Sequence, residues 1–288
     1  MRAYAINSAG TAYGSQVSFT TLQSVPQGAI NGLFSVSAGQ QVYFSQGNLQ
    51  YKASTNTWQF AANQYDYIGY DNSNISQTYS GWIDLFGWGT SGYNHGAVCY
   101  QPWSTSQTNS DYYAYGSSNY NLFDQTGQAD WGYNAISNGG NQPNQWRTLT
   151  SDEWHYVFDI RATLSDIRYA KAMVNNVNGV ILLPDNWSST TYSLTNTNQG
   201  GASFSSNTIS SSQWSTLENA GAVFLPAAGM RGGPSSLSVV GTGGNYWTSS
   251  YIDGDDAYYV DFCPPGLHAC LNRNRFVGQS VRLVRSAQ

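Results

Sequence analysis

The sequence predicts an α+β protein made of many short strands and two helices, with long loops between them. From Leu33 onward, short apolar runs are separated by turns of Gly, Asn and Ser, which is typical of short strands. Two segments carry helix start signals. The C-terminal segment alternates between two sets of side chains, as the two faces of a strand do.

The first 32 residues predict elements outside this domain. Arg2 to Asn7 and Gly14 to Thr20 alternate around a turn, so residues 2–21 predict a β-hairpin. Residues 22–32 contain two glycines and a proline and predict a linker. The α+β domain is then expected over residues 33–288. Because the first residues read as the middle of a domain, we expect the chain to be a piece of a longer protein.

Two helices are predicted inside the domain. Thr150 to Glu153 has the spacing of a capping box, ahead of an apolar face. A second helix is predicted over residues 211–219, with Trp214 and Leu217 inward and Gly221 as its stop. Long surface loops, rich in Ser, Asn, Thr and Gly, are predicted at 70–81, 104–119 and 188–212.

The segment from Tyr246 to Arg285 predicts a binding surface. The alternation places Tyr258, Val260 and Phe262 toward a core. It places Tyr259, Asp261 and Cys263 outward. The outward set is a chemical mixture that continues through a turn with two prolines, after which a regular alternating strand returns.

Composition limits the classes of function. Only 9% of the 288 residues are charged, while 15% are aromatic, including 22 Tyr and 10 Trp. Tyr among neutral polar residues is typical of secreted and adhesive β-rich proteins and of recognition loops. The net charge of −5 argues against a general nucleic-acid binder. No apolar run is long enough to cross a bilayer, so we expect no membrane insertion.

The three cysteines, Cys99, Cys263 and Cys270, are too few for a disulfide framework. Cys263 and Cys270 flank a short loop with two prolines. A bridge between these two is one alternative, and two thiols are the other.

Four motifs, in order, resemble a known family. Trp146 to Trp154 resembles a signature of the formylglycine-generating-enzyme branch of C-type-lectin-like folds. Phe224 to Arg231, Tyr246 to Ser250 and Gly278 to Arg285 follow it. Together they are similar to gut-bacterial and phage variable proteins of diversity-generating retroelements. The resemblance spans residues 33–285 and implies a C-type-lectin-like fold.

The resemblance also implies a division of the C-terminal segment, about residues 246–285, into fixed and variable positions. In that family a reverse transcriptase copies a template with errors at adenines, which varies a displayed, non-enzymatic binding surface. The fixed scaffold would comprise Trp247, Ala257, Tyr258, Val260, Phe262, Arg275, Gly278, Val281 and Arg282. The variable, ligand-binding positions would be Tyr251, Ile252, Asp255, Tyr259, Asp261, Cys263, Pro265, Leu267, His268, Cys270, Leu271, Arg273, Phe276 and Val277.

The N-terminal hairpin resembles the closing strands of a fibronectin type III domain, a β-sandwich. A stalk of that kind implies extracellular display, on a phage tail fibre or on a bacterial surface. The expected partner is a protein or glycan receptor on a cell surface. Any oligomer would form through parts outside this sequence, since no coiled-coil heptads are present.

An oxidase of the formylglycine type is a weaker alternative. Such enzymes use two closely spaced C-terminal cysteines, whereas six residues separate Cys263 from Cys270, and the flanking sequence is unlike that of the enzymes. His268 stands between them, but no fourth ligand with standard zinc spacing follows. The sequence therefore predicts no catalytic residue and no metal centre here.

A calcium-dependent lectin is the other alternative. Asp253, Asp255 and Asp256 supply hard oxygens, but their spacing matches no calcium-loop motif. The tripeptide Gln142 to Asn144 is similar to those that hold calcium and a hexose in sugar-binding C-type lectins. Calcium is thus the one cofactor left open. Five tryptophans are predicted to lie in the core or at its edge: Trp82, Trp88, Trp103, Trp131 and Trp146.

Overall fold

The described part of the chain contains seventeen short strands and two α-helices, joined by loops and short helical turns. The computed structural model describes residues 3–15, 24–114, 121–123 and 127–287. The helices are α1 (Ser151–His155) and α2 (Ser211–Asn219). The strands are β1 (Tyr4–Asn7), β2 (Gly10–Tyr13), β3 (Phe34–Ser37), β4 (Gln40–Phe44), β5 (Leu49–Lys52), β6 (Thr57–Phe60), β7 (Arg147–Thr148), β8 (Tyr169–Val174), β9 (Val177–Leu182), β10 (Thr208–Ile209), β11 (Val223–Pro226), β12 (Met230–Gly232), β13 (Ser236–Ser238), β14 (Gly244–Tyr251), β15 (Asp256–Cys263), β16 (Gly266–Asn274) and β17 (Leu283–Ser286). The predicted α+β class is confirmed.

The described strands pair into small sheets. Two sheets have four strands, in the orders β10-β8-β9-β11 and β3-β4-β17-β7. The antiparallel sheet β14-β15-β16 contains most of the predicted site. Three further pairs, β1-β2, β5-β6 and β12-β13, complete the described set.

The sheet β14-β15-β16 lies between two apolar clusters. Tyr246, Val260 and Phe262 belong to the first cluster, together with Trp154 of α1. Trp247, Ala257 and Tyr259 belong to the second cluster, which is rich in tryptophan. Because residues of alternating parity enter different clusters, both faces of this sheet are packed. A third cluster joins α2 to β8, β9 and β11.

The predicted capping box of α1 is confirmed. The Thr150 hydroxyl accepts from the Glu153 amide, and the Glu153 carboxylate accepts from the Thr150 amide. The same carboxylate forms an ion pair with Arg147 at 2.6 Å. After His155 the helix widens into a π-helical turn over Tyr156–Ile160, a feature that the capping signal does not indicate.

The second predicted helix is confirmed with its bounds. Ser210 and Gln213 form its capping box, and Trp214 and Leu217 are buried. Gly221 follows it with a φ of +91°, where a Cβ would lie 2.6 Å from the Asn31 carbonyl oxygen. Only glycine fits there without strain.

The N-terminal hairpin forms, but its second strand was predicted in the wrong place. β2 is Gly10–Tyr13 rather than residues 14–20, because Asn7 pairs with Gly10 across a two-residue turn. Arg2 and residues 16–20 lie outside the described residues. Ile30, in the predicted linker, is buried in the first cluster. The proposed division into domains stays a prediction.

The predicted loops contain short ordered pieces. Residues 69–74 form a 3-10 helix in which Asn72 is buried, and residues 208–209 form β10. Of the loop predicted at 104–119, residues 115–119 lie outside the described residues. Among the described helices, none has the length and apolar character that a membrane span requires.

Candidate binding site

Five predicted site residues share one face of the hairpin formed by β15 and β16. Asp261 pairs with His268, Tyr259 with Leu271, and Ala257 with Arg273. Directly paired residues of an antiparallel sheet point to the same side. We call Tyr259, Asp261, His268, Leu271 and Arg273 the hairpin surface.

The predicted scaffold and the predicted site differ in burial. Eight scaffold positions are buried: Trp247, Ala257, Val260, Phe262, Arg275, Gly278, Val281 and Arg282. Twelve site positions are exposed or half-buried: Tyr251, Ile252, Asp255, Asp261, Cys263, Pro265, Leu267, His268, Cys270, Leu271, Arg273 and Phe276. A side chain without packing contacts tolerates substitution far better than a core side chain does.

Three positions differ from this division. Tyr259, predicted to face outward, is 3% exposed, and Val277 is 8% exposed. Tyr258, predicted as core, is only half-buried. The alternation along β15 separates two faces, but Tyr259 packs into the second cluster, with its ring 6.4 Å from that of Trp247. The outward orientation predicted for Tyr259 is therefore wrong.

Arg273 covers part of Tyr259. Its guanidinium carbon lies 5.0 Å from the centroid of the Tyr259 ring, and its Nη2 donates to the Tyr259 hydroxyl at 3.0 Å. The Nη1 atom of Arg273 contacts the Met230 sulfur at 3.3 Å. Arg273 is itself half-buried, so a change here would also change how much of Tyr259 a ligand can reach.

Not every predicted residue lies on the hairpin surface. Leu267 packs against the first cluster on the other side of the sheet. Cys270 lies beside Ser151 and Asp152 at the start of α1. Between its pairs with Tyr259 and Asp261, β16 has one extra residue, a β-bulge that locally changes the alternation.

The remaining predicted residues lie at the ends of the sheet. Ile252 and Asp255 are in the turn between β14 and β15, and Pro265 is in the turn between β15 and β16. Phe276 and Val277 follow β16. Tyr251 ends β14, with its ring 6.1 Å from that of Trp88. The structure thus gathers the hairpin surface and places the other residues around it.

Charges on the hairpin surface partly balance one another. Burial raises the pKa of Asp261, while His268 and Arg273 act in the opposite direction. The Cys263 thiol lies 3.8 Å from the Asp261 carboxylate. A half-buried carboxylate beside two basic side chains can accept hydrogen bonds from a ligand.

In the acidic turn, the carboxylates of Asp253 and Asp256 accept hydrogen bonds from other groups of the protein. Asp253 accepts from the backbone amides of Asp255 and Asp256, each at 3.2 Å. Asp256 accepts from Asn272 at 2.7 Å and from Asn274 at 2.8 Å. Within the described residues, no group of three or more His, Cys, Asp or Glu is arranged to hold a metal ion. Calcium binding by this turn stays an untested alternative.

Cys99, Cys263 and Cys270 are all free thiols. Cys263 pairs with Gly266 across the turn, and Cys270 is four residues farther along β16. The strand pairing therefore separates the two C-terminal cysteines along the hairpin. The sequence left open either a disulfide bridge or two thiols for Cys263 and Cys270, and the structure has two free thiols.

Lys171 is a site-supporting residue that the sequence analysis did not single out. Its buried ammonium donates to the carbonyl oxygens of Cys263 and Gly266. Burial lowers its pKa, although nearby Cys263 and Asp261 raise it. The sequence does contain a sign of this role, because Lys171 is the single charged residue in the apolar strand β8. A charged group buried in such a strand needs hydrogen-bonding partners.

No family model, no curated protein and no solved structure matches this chain.

Proposed function

We propose that this chain is a non-enzymatic ligand-binding protein with a C-type-lectin-like fold, whose C-terminal segment is varied by a diversity-generating retroelement. Its receptor would bind the hairpin surface and the turns beside it. The observation that carries the proposal is the difference in burial between the two sets of positions. Eight of the nine proposed fixed positions are buried, whereas twelve of the fourteen proposed variable positions are exposed or half-buried.

This division is what a variable surface needs physically. Buried residues in two clusters hold the sheet from both sides. Substitutions at exposed strand positions typically change stability by about 0.5 kcal/mol or less. Many different side chains could therefore occupy the hairpin surface on the same fold.

The proposed setting is extracellular, on a phage tail fibre or a bacterial surface, with a protein or glycan receptor as the partner. The support is compositional. Only 9% of residues are charged, and Tyr is abundant among neutral polar residues. The N-terminal hairpin would belong to a fibronectin-like stalk.

The neighbouring DNA tests the proposal directly. We expect a reverse transcriptase gene and a near-copy of the segment that encodes Tyr246 to Arg285, with differences only where the copy has adenine. Substitutions in related copies should fall on the exposed set. A genome with neither the reverse transcriptase nor the near-copy would contradict the retroelement assignment.

A library experiment tests the surface itself. Codons for Asp261, His268, Leu271 and Arg273 are randomised, and the library is displayed and selected on an unrelated protein such as lysozyme. We expect folded clones that bind lysozyme. A control library randomised at Trp247, Ala257, Val260 and Phe262 should yield few folded clones. Equal folding yields from the two libraries would refute the division into scaffold and site.

A further inference from the structure

A second candidate site lies in a cavity of about 530 Å³ away from the hairpin surface. Its walls come from β5 and β6, from residues 91–93 and 101–103, and from residues 128–134. None of its thirteen lining residues belongs to the hairpin surface. The volume is within the range of about 300–1,000 Å³ that is usual for small-molecule sites.

Aromatic rings form part of the wall. The ring of Trp103 stacks on that of Tyr51, with centroids 6.0 Å apart and an interplanar angle of 28°. Trp103 is half-buried, so part of its ring remains accessible. Tyr93, which is 45% exposed, and Tyr133, which is half-buried, also line the cavity. Two of the predicted core or core-edge tryptophans, Trp88 and Trp131, are fully buried, so Trp103 differs from them.

Side-chain amides form the polar part of the wall. Gln77, Gln101, Gln128 and Asn134 all line the cavity. Asn134 and Gln128 are held in place, since Asn134 donates to the Ser91 carbonyl at 2.9 Å and Gln128 to the Tyr133 hydroxyl at 3.3 Å. Asn134 also donates to the Trp131 carbonyl at 3.2 Å, so its amide oxygen is what it offers to a ligand. Gln101 and Gln128 can each offer both a donor and an acceptor.

The cavity carries no formal charge, because none of its lining residues is Asp, Glu, Lys, Arg or His. A phosphate or carboxylate ligand would lack the basic partner that such groups usually find. A purely apolar ligand would displace water from the amides without replacing its hydrogen bonds, which is costly. A ligand that is neutral, rich in hydroxyl groups and apolar on one face fits this wall best.

We propose that this cavity binds a neutral saccharide without calcium. The C–H face of a pyranose ring would pack on Trp103, where the negative face of the indole attracts the weakly positive C–H groups. The sugar hydroxyls would exchange hydrogen bonds with Gln101, Gln128 and Asn134. This site is independent of the hairpin surface and requires no variation of the C-terminal segment.

The cavity is preorganised. Tyr51, which supports Trp103, donates its hydroxyl proton to the Asn56 side chain at 3.0 Å and contacts the Trp58 ring, with centroids 4.5 Å apart. Ser91 donates to the Gln128 backbone carbonyl at 2.8 Å. Walls held in this way lose little conformational entropy on binding.

The test uses an array of neutral oligosaccharides printed beside sialylated and sulfated ones, with the protein in EDTA and then in Ca²⁺. We expect binding to neutral glycans, equal under both conditions. The best neutral glycan is then titrated in solution against variants. Trp103→Ala and Gln101→Ala should each weaken binding by about tenfold or more, a loss that titration resolves.

One matched control and one diagnostic variant accompany these variants. Trp82→Ala removes another half-buried tryptophan that does not line the cavity, so it should bind the glycan as the unchanged protein does. His268→Ala changes the hairpin surface and reports whether the glycan binds there instead. Thermal melting identifies any variant that fails to fold, and if Trp103→Ala does, Gln101→Ala decides.

Several results would overturn the proposal: no neutral glycan bound, binding to charged glycans only, binding lost in EDTA, or undiminished binding by folded Trp103→Ala or Gln101→Ala. Loss of glycan binding in His268→Ala would place the sugar on the hairpin surface instead.

Discussion

The Nζ atom of Lys171 lies 2.5 Å from the carbonyl oxygen of Cys263 and 2.9 Å from that of Gly266. Lys171 belongs to β8, whereas the two carbonyls close the turn between β15 and β16. This buried side chain therefore ties the end of the site hairpin to a different sheet. A side chain without a donor at this position would lose both hydrogen bonds, so we expect Lys171 to act as a fixed support for the residues beside it.

Lys171→Met should loosen this turn, because two carbonyl oxygens lose a charged donor. We expect a loss of about 1–3 kcal/mol in the free energy of unfolding, measured by urea denaturation. Hydrogen exchange should speed up around Gly266. Lys52→Met, the same change at a half-buried lysine that lies over Trp82, should leave the turn unaffected. Unchanged exchange at the turn would contradict the role given to Lys171.

Core and surface positions of one hairpin should respond differently to alanine. Phe262→Ala removes a fully buried ring and should lower the free energy of unfolding by about 3–5 kcal/mol. His268→Ala and Leu271→Ala should each change it by about 0.5 kcal/mol or less. Chemical denaturation measures all three. A loss at His268 as large as that at Phe262 would be incompatible with a tolerant surface.

The pair of Arg273 and Tyr259 should show a measurable coupling. Arg273→Ala removes the hydrogen bond and the contact over the ring, whereas Tyr259→Phe removes the hydrogen bond alone. In a double-mutant cycle we expect a coupling energy of about 0.5–1 kcal/mol, since Arg273 is half-buried and solvent screens part of the interaction. Strict additivity would show that the bond contributes nothing in solution.

Asp84 should make stability fall as pH rises between about 4 and 6. Burial raises the pKa of this carboxyl from 3.8 to about 6, against hydrogen bonds from Ile68 and Asn72 that lower it. In that window the folded state binds more protons than the unfolded state, so a contribution fully present below pH 4 is lost as pH rises through 6. Two pKa units correspond to about 3 kcal/mol.

Asp84→Asn should reduce this fall, while Asp71→Asn, at an exposed carboxyl, should retain it in full. Denaturation curves at several pH values between about 4 and 7 give the comparison. Burial also raises the pKa of Asp130, so part of the slope will remain in the variant. Identical slopes in Asp84→Asn and the unchanged protein would show that the pKa of Asp84 is the same in the folded and unfolded states.

The thiols should react in two classes. Cys263 and Cys270 are accessible, whereas Cys99 is buried. Ellman's reagent should therefore modify two thiols in the folded protein and a third only in denaturant. Burial raises the pKa of Cys270, so its reaction should be slow at neutral pH and faster at higher pH, since the thiolate is the reactive form. A count of one thiol in denaturant would instead reveal a disulfide.

The elements that could be predicted from the amino-acid sequence are those whose signals are local. The bounds of α2 follow from Ser210, Gln213 and Gly221, which act within a few residues of the helix ends. The start of α1 was predictable for the same reason. The N-terminal hairpin was shifted because its tight turn depends on the pairing of Asn7 with Gly10, which alternation alone does not specify.

The burial of individual residues on the two faces of the site hairpin could not be predicted from local patterns, because it depends on tertiary contacts. The alternation of Tyr258, Tyr259 and Val260 distinguishes two faces, yet Tyr259 is buried in the second cluster while Asp261, on the same face, is only half-buried. The support by Lys171 and the cavity around Trp103 likewise join segments that are distant along the chain. Burial depends on such long-range contacts, because a side chain's surroundings are set by whatever packs on it in space.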